Sequence, residues 1–143
     1  MFANLALGAV IISATVVIHT LGLITVTHLI GYLTDRFRMN DRRSRIVAML
    51  TVVIGTFGLL TVQVWLWACT YYRLDVLGDF DTALYFSTVT FSTIGYGDIV
   101  PEQGWRLLCA LEGIDGFLLI GWSTAYLIAA GIRVGPFEAG KHF

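Results

Sequence analysis

The chain has little charge: of its 143 residues 13% are charged and 57% hydrophobic, and the mean hydropathy is +0.77. Such a composition cannot supply the polar surface of a water-soluble globule, so that class is excluded. Net charge is −1 and the pI about 6.2, which removes the basic field that nucleic-acid binding requires. Cysteine is scarce as well. Cys69 and Cys109 stand alone in apolar stretches, with no CxxC and no Cys/His cluster to hold a metal. Both are expected as buried apolar thiols, although their similar expected depth leaves a disulfide open. There is no HExxH, no glycine-rich phosphate loop and no nucleophile with a paired base, so neither an enzyme nor an organic cofactor is expected. No basic segment precedes the first apolar run, which is also too long for a secretory leader, and the run is expected to be retained.

What the chain has is long apolar runs. About 18 apolar residues cross a hydrocarbon core of ~30 Å, and residues 5–33, 46–72 and 105–132 each suffice. The expected plan is a peripheral N-terminal helix (1–34), a basic loop (35–45), a unit of two spanning helices with an intervening segment (46–132), and a tail (133–143). Arg36, Arg38, Arg42, Arg43 and Arg45 share the loop with Asp35, Asn40, Asp41 and Ser44. By the positive-inside rule the loop and tail are cytoplasmic, and the N-terminus lies outside a plasma (inner) membrane. These arginines are in a polar loop rather than at every third position of an apolar helix, so they do not read as a voltage sensor. Trp65, Trp67, Tyr71 and Tyr72 are expected as an aromatic belt at the outer end of the second span.

Between the second and third spans, residues 80–92 suit a helix too short to cross, since about 13 residues rise only ~20 Å. Asp79 or Asp81 is the expected N-cap. The negative end of this re-entrant helix points toward the membrane centre, which favours a cation there. Directly after it come Thr93-Ile94-Gly95-Tyr96-Gly97-Asp98. Glycine reaches positive φ at little cost, so Gly95 and Gly97 let successive carbonyls face the same way. Inward carbonyls are neutral, fixed oxygens that can replace the water a cation sheds. Non-helical backbone inside a membrane is tolerated where it lines such a path.

These six residues resemble the selectivity-filter signature of the potassium channel family, in which Val usually stands at the position of Ile94. The resemblance covers about 46–132 and leaves the first span out. Taken with the apolar first span, it implies an all-α membrane protein with three transmembrane helices, a re-entrant pore helix and a filter loop. It also implies that the carbonyls of Thr93, Ile94, Gly95 and Tyr96, with the Thr93 hydroxyl, bind K+ as the transported ion, while Tyr96 braces the width. One filter segment per chain and no internal repeat then imply a homotetramer in lipid. Where the family commonly has two consecutive tryptophans, this chain has Tyr85 and Phe86. Tyr85 keeps a hydroxyl for Asp98 and Phe86 has no donor, so a less rigid filter is expected, with faster inactivation or looser selectivity. A nonselective cation channel, or a regulatory subunit that conducts only with a partner, are the alternatives.

Two acids lie within the third span, where a carboxylate needs a partner or water. A helical wheel groups Leu111, Leu118, Gly121 and Ala125 on one face, the expected pore side, with Asp115 about 60° and Glu112 about 120° from its centre. Asp115 is therefore weighed as a cavity ring of charges against a hydrogen bond to Thr88, Thr90 or a neighbouring helix. Glu112 is expected behind the filter near pore-helix hydroxyls. Gly116 is a hinge or a packing contact, with packing favoured. His19 and His28 are expected as neutral groups bonded to nearby threonines, with pH sensing as the alternative. Asp75, Asp79, Asp81, Asp98 and Glu102 oppose Arg73, for a net −4 per chain at the outer mouth.

Overall fold

A computed structural model describes residues 2–36 and 42–134. The elements are α1 (Phe2–Arg36), α2 (Arg42–Arg73), α3 (Phe80–Phe91) and α4 (Arg106–Val134). Among the described residues there is no strand, and three stretches are long and apolar enough to span a membrane: Phe2–Leu33, Ser44–Arg73 and Arg106–Arg133. The all-α architecture with a short helix between two spans is the one the sequence implied. The helices run further than expected, because α1 continues to Arg36 and α2 already begins at Arg42. Arginine is a good helix former and a helix satisfies its own backbone, so nothing forces it to stop where the apolar residues do. The middle of the expected loop (37–41) and the tail from 135 lie outside the described residues.

The three long helices pack side by side. α1 runs parallel to α4, as Thr15 meets Asp115 and Thr27 meets Tyr126. It runs antiparallel to α2, as His19 meets Gln63 and Gly55 meets Val26. The buried positions of α1, namely Asn4, Gly8, Ile11, Thr15, His19, Leu23, Val26 and Ile30, recur at three- and four-residue intervals and form one stripe. Close approach is achieved with glycine: Leu59 fills the space over Gly22, and Leu111 that over Gly8. Exposed threonine hydroxyls on the spans donate to the carbonyl four residues back, as Thr25 does to Leu21 and Thr61 to Phe57. In hydrocarbon this keeps a polar side chain satisfied without another helix.

Three expectations are corrected here. Trp67 and Tyr71 are fully buried, not part of a belt, because their N–H and O–H groups are used inside the bundle. Only Trp65 and Tyr72 remain at the surface, each with its ring 6 Å or less from that of Phe80. Leu111 packs over Gly8 of α1 and so does not share the free face of α4 with Leu118, Gly121 and Ala125. Both cysteines are free thiols; Cys109 is buried as expected, and in the third correction Cys69 is exposed, because its side of α2 is not covered by the other described helices.

Gly116 is where α4 meets the end of α3. A Cβ there would overlap the Phe91 carbonyl group, backbone that cannot move aside like a side-chain tip. The position is thus a packing contact, and nothing in its contacts calls for a hinge. Gly116→Ala is expected to cost at least the ~1–3 kcal/mol of an overpacked core and to lower the thermal midpoint in detergent. Gly58→Ala, with open space around it, is expected to leave the midpoint unchanged or raise it.

Candidate functional site

α3 is fixed at both ends by local chemistry. Asp79 is the N-cap, with φ −141° and ψ 159°, and its carboxylate accepts from the Thr82 amide at 2.8 Å and the Thr82 hydroxyl at 2.7 Å. Asp81 lies in the first turn, where a negative charge suits the helix dipole. At the other end the Ile94 amide reaches back to the Val89 carbonyl (3.1 Å) and the Thr93 amide to the Thr90 carbonyl (3.0 Å). These are the paired bonds of a Schellman motif, and they require a left-handed residue at Thr93. Thr93 has φ 62°. α2 ends the same way around Asp75 (φ 54°), where a short polar residue tolerates that conformation. A β-branched threonine does not, and such strain costs about 1–3 kcal/mol.

The left-handed residues then recur at alternate positions. Thr93, Gly95 (φ 57°) and Gly97 (φ 75°) have positive φ, and the intervening Ile94 and Tyr96 do not. Alternation of this kind is the backbone pattern that lets successive carbonyls face the same way. At Gly95 and Gly97 a Cβ would meet nothing within 4 Å, so glycine is needed there for backbone conformation and not for room. The Gly95 amide also donates to the Val89 carbonyl, at 3.2 Å, which ties the first turns of the loop to α3. All six residues of the loop are exposed on the protomer, and Tyr96 is 69% exposed.

Behind the loop is a polar core. The Tyr85 hydroxyl donates to Asp98 Oδ2 at 2.7 Å, and this bond raises the Tyr85 phenol above its ordinary pKa. Phe86 is buried with its ring edge-on to Tyr71, 5.5 Å between centroids. Glu112 is fully buried between α2 and α3. It accepts from the Tyr71 hydroxyl at 2.6 Å and pairs closely with the Ser87 hydroxyl, whose oxygen also lies 2.9 Å from the Val64 carbonyl.

Asp115 does not line a cavity. It is 1% exposed, with Oδ2 accepting from the Trp67 indole N–H at 2.9 Å and from the Thr15 hydroxyl at 2.9 Å, and Oδ1 lying 3.1 Å from the same hydroxyl. Its partners are on α1 and α2 rather than Thr88 or Thr90. The free face of α4 instead carries Ile114, Phe117, Leu118, Gly121 and Ala125. His19 is likewise buried, but its partner is the Gln63 amide at 2.9 Å, with Ser123 at 3.5 Å, and not a threonine. His28 is exposed, beside a groove with Trp122 and Tyr126. Arg106, at the start of α4, donates to the Pro101 carbonyl, so at the expected mouth five acids oppose two arginines. No group of three metal-ligating side chains occurs among the described residues.

Sequence reasoning missed Thr15, Gln63, Trp67 and Tyr71 as partners of the buried polar groups, whereas Ser87 is one of the short-helix hydroxyls near which Glu112 was expected. A signal was present for three of them: Gln63, Trp67 and Tyr71 recur every four residues and share one face of α2.

A family model described as "Ion channel" matches residues 46–133. The intermediate conductance calcium-activated potassium channel protein 4 of Rattus norvegicus is 31% identical over 107 residues, 73% of this chain and 23% of the relative. Two-pore potassium channel 4 of Arabidopsis thaliana is 46% identical over 58 residues, 36% of this chain and 20% of the relative. An uncharacterized membrane protein, YdjJ, of Bacillus subtilis (strain 168) is 40% identical over 47 residues, 32% and 14%. The chain thus spans less than a quarter of the length of these relatives. No solved structure matches it.

Two outcomes follow from the supports. Glu112→Ala strands the Tyr71 hydroxyl and opens a void, for an expected loss of about 2–5 kcal/mol in stability. Adding Tyr71→Phe should recover about 1–3 kcal/mol by removing the stranded donor; an additive loss in detergent melting would overturn this account. The hydrogen bonds from Thr82 hold the Asp79 carboxyl below the usual carboxylate range. The folded pKa is depressed, so the cap's contribution is present above the unfolded value of about 3.9 and is lost as pH falls through the depressed one. Between about pH 6 and pH 2, Asp79→Asn should show a smaller fall in melting temperature than the parent chain.

Proposed function

Because the chain belongs to the ion channel family, we propose that it is a potassium-selective channel that conducts K+ passively through a homotetrameric pore. The observation that carries this reading is the alternation of left-handed residues at Thr93, Gly95 and Gly97, immediately after the end of α3. Four such loops around an axis present rings of carbonyls from Thr93, Ile94, Gly95 and Tyr96, with the Thr93 hydroxyl below them. Potassium in the names of two relatives agrees with this choice of ion. The threonine at position 93 then has a reason: glycine would relieve the backbone but would remove a ligand.

Tetramer formation is supported by what one protomer leaves uncovered. Phe117, Leu118 and Tyr96 are each more than half exposed, and Phe117 and Leu118 belong to the free face of α4. Large apolar patches of this kind mark surfaces that partners or lipid cover. In this reading the pore unit is 46–132, with outer helix 46–72, pore helix and filter 79–101 and inner helix 105–132. The segment 1–34 is peripheral to the pore, 35–45 is the cytoplasmic loop and 133–143 the cytoplasmic tail. The N-terminus faces outward across the plasma membrane. Tyr85, Phe86 and Glu112 support the filter, and Leu118, Gly121 and Ala125 line the cavity. A conducting pore, rather than a catalyst, is the activity assigned.

Liposomes containing only this protein test the reading. Potassium flux well above sodium flux, blocked by barium, with cross-linking that stops at four chains, is expected. Equal potassium and sodium flux would replace this reading with a nonselective pore, and no flux from folded tetramers with a conducting-subunit requirement. Tyr85→Phe should lower the potassium-to-sodium ratio or hasten inactivation.

A further inference from the structure

The helix that the pore pattern does not include is bonded to the filter's base through one short path. α1 lies outside the matched residues 46–133. Its Thr15 is fully buried, and its hydroxyl is shared between the Ile12 carbonyl (2.8 Å) and Asp115. Asp115 accepts from α1 and from Trp67 of α2 at once, which fixes the rotation of α4 about its own axis. The next residue, Gly116, has its backbone directly against the Phe91 carbonyl with no side chain between. Phe91 is the last residue of α3, two positions before the strained Thr93.

We propose that Thr15 is a positioning residue for the filter: through Asp115 and Gly116 it holds the end of α3 in the conformation that the left-handed Thr93 requires. The inference rests on the filter reading above. Three features make this path specific. The side chain of Asp115 is occupied by donors from two other helices, so a rotation of α4 breaks bonds rather than sliding past them. The contact at Gly116 is backbone against backbone, so it cannot be absorbed by a rotamer change. The receiving segment is held by few bonds, the Val89 carbonyl accepting from both Ile94 and Gly95, so a small displacement at Phe91 reaches the loop. Three further polar contacts of α1, His19 to Ser123 and Thr27 to Tyr126 on α4 and Asn4 to the Gly104 carbonyl just before it, fall at other levels, and the packing of Leu111 over Gly8 is apolar and side-chain.

The test uses the full chain with Thr15→Val, which keeps the shape and removes the donor, and Thr15→Ser, which restores it. Two readouts are taken: deuterium exchange at the Ile94 and Gly95 amides in detergent, and the potassium-to-sodium flux ratio with barium block in liposomes. Thr15→Val is expected to speed exchange at those amides about fivefold, the size of one lost hydrogen bond, and to change the flux ratio or the block. Thr15→Ser should match the parent in both. Unchanged exchange at Ile94 and Gly95 in a folded Thr15→Val protein overturns the inference, whatever the flux. Faster exchange with no potassium preference in the parent chain leaves the brace standing and overturns the filter reading instead. Should Thr15→Val fail to fold, Thr15→Ala is judged by the same exchange measurement.

Discussion

The backbone carbonyls at the end of α3 are the constraint from which the site is built. A helix that stops inside a membrane leaves acceptors with no water to satisfy them, and each such group is expensive. Here the amides of Thr93, Ile94 and Gly95 turn back to the carbonyls of Thr90 and Val89. The same bonds that end the helix also set the hand of Thr93, and the alternation through Gly97 continues from it. Helix termination and the display of carbonyls by the loop are therefore one structural event. Everything that places α3, from the Asp79 cap to the Glu112 pair with Ser87 and the Gly116 contact, places the loop too.

The buried acids serve this placement. A carboxylate in an apolar interior is tolerated when donors surround it. α2 provides them from a single face, with the Tyr71 hydroxyl for Glu112 and the Trp67 indole for Asp115. One turn further along the same face Gln63 meets His19. The polar groups thus form a ladder along one face of α2, from its contact with α3 and α4 to its contact with α1, and they lock relative rotations that apolar side chains alone would allow to slip. Breaking one member costs more than the bond itself, because the partner is left buried without a substitute.

Much of this was legible in the sequence. The three spans, the short helix, its aspartate cap and the glycine alternation follow from run length, capping chemistry and the conformational freedom of glycine. What the sequence did not reveal was which neighbour each polar side chain would meet. A helical wheel gives the angle of Asp115 on α4 but not the identity of the helix at that angle, so a cavity and a neighbouring helix were both compatible with it. Trp67 and Tyr71 looked interfacial because aromatic residues near a span's end usually are. They are drawn inward because the acids of α4, more than forty positions away, need donors. The left-handed conformation of Thr93 was hidden because a β-branched residue argues against it, and only the capping geometry demands it.

The two faces of α4 divide the work of the helix. Glu112, Asp115 and Ser123 turn toward the other helices, while Ile114, Phe117, Leu118, Gly121 and Ala125 stay free. Had Asp115 faced the free side, four copies in a tetramer would set charges close together in a low-dielectric space, and their repulsion would oppose assembly. With the acids paired within each protomer, that free side carries no carboxylate, and its exposed Thr124 hydroxyl is satisfied by the Ile120 carbonyl. In the proposed pore, the field for a cation at the base of the loop would come from fixed dipoles, the carbonyl end of α3 and the loop carbonyls themselves, which need no counter-charge and do not titrate. A site for a permeating ion is better made from such dipoles than from carboxylates, because binding stays weak enough for the ion to leave.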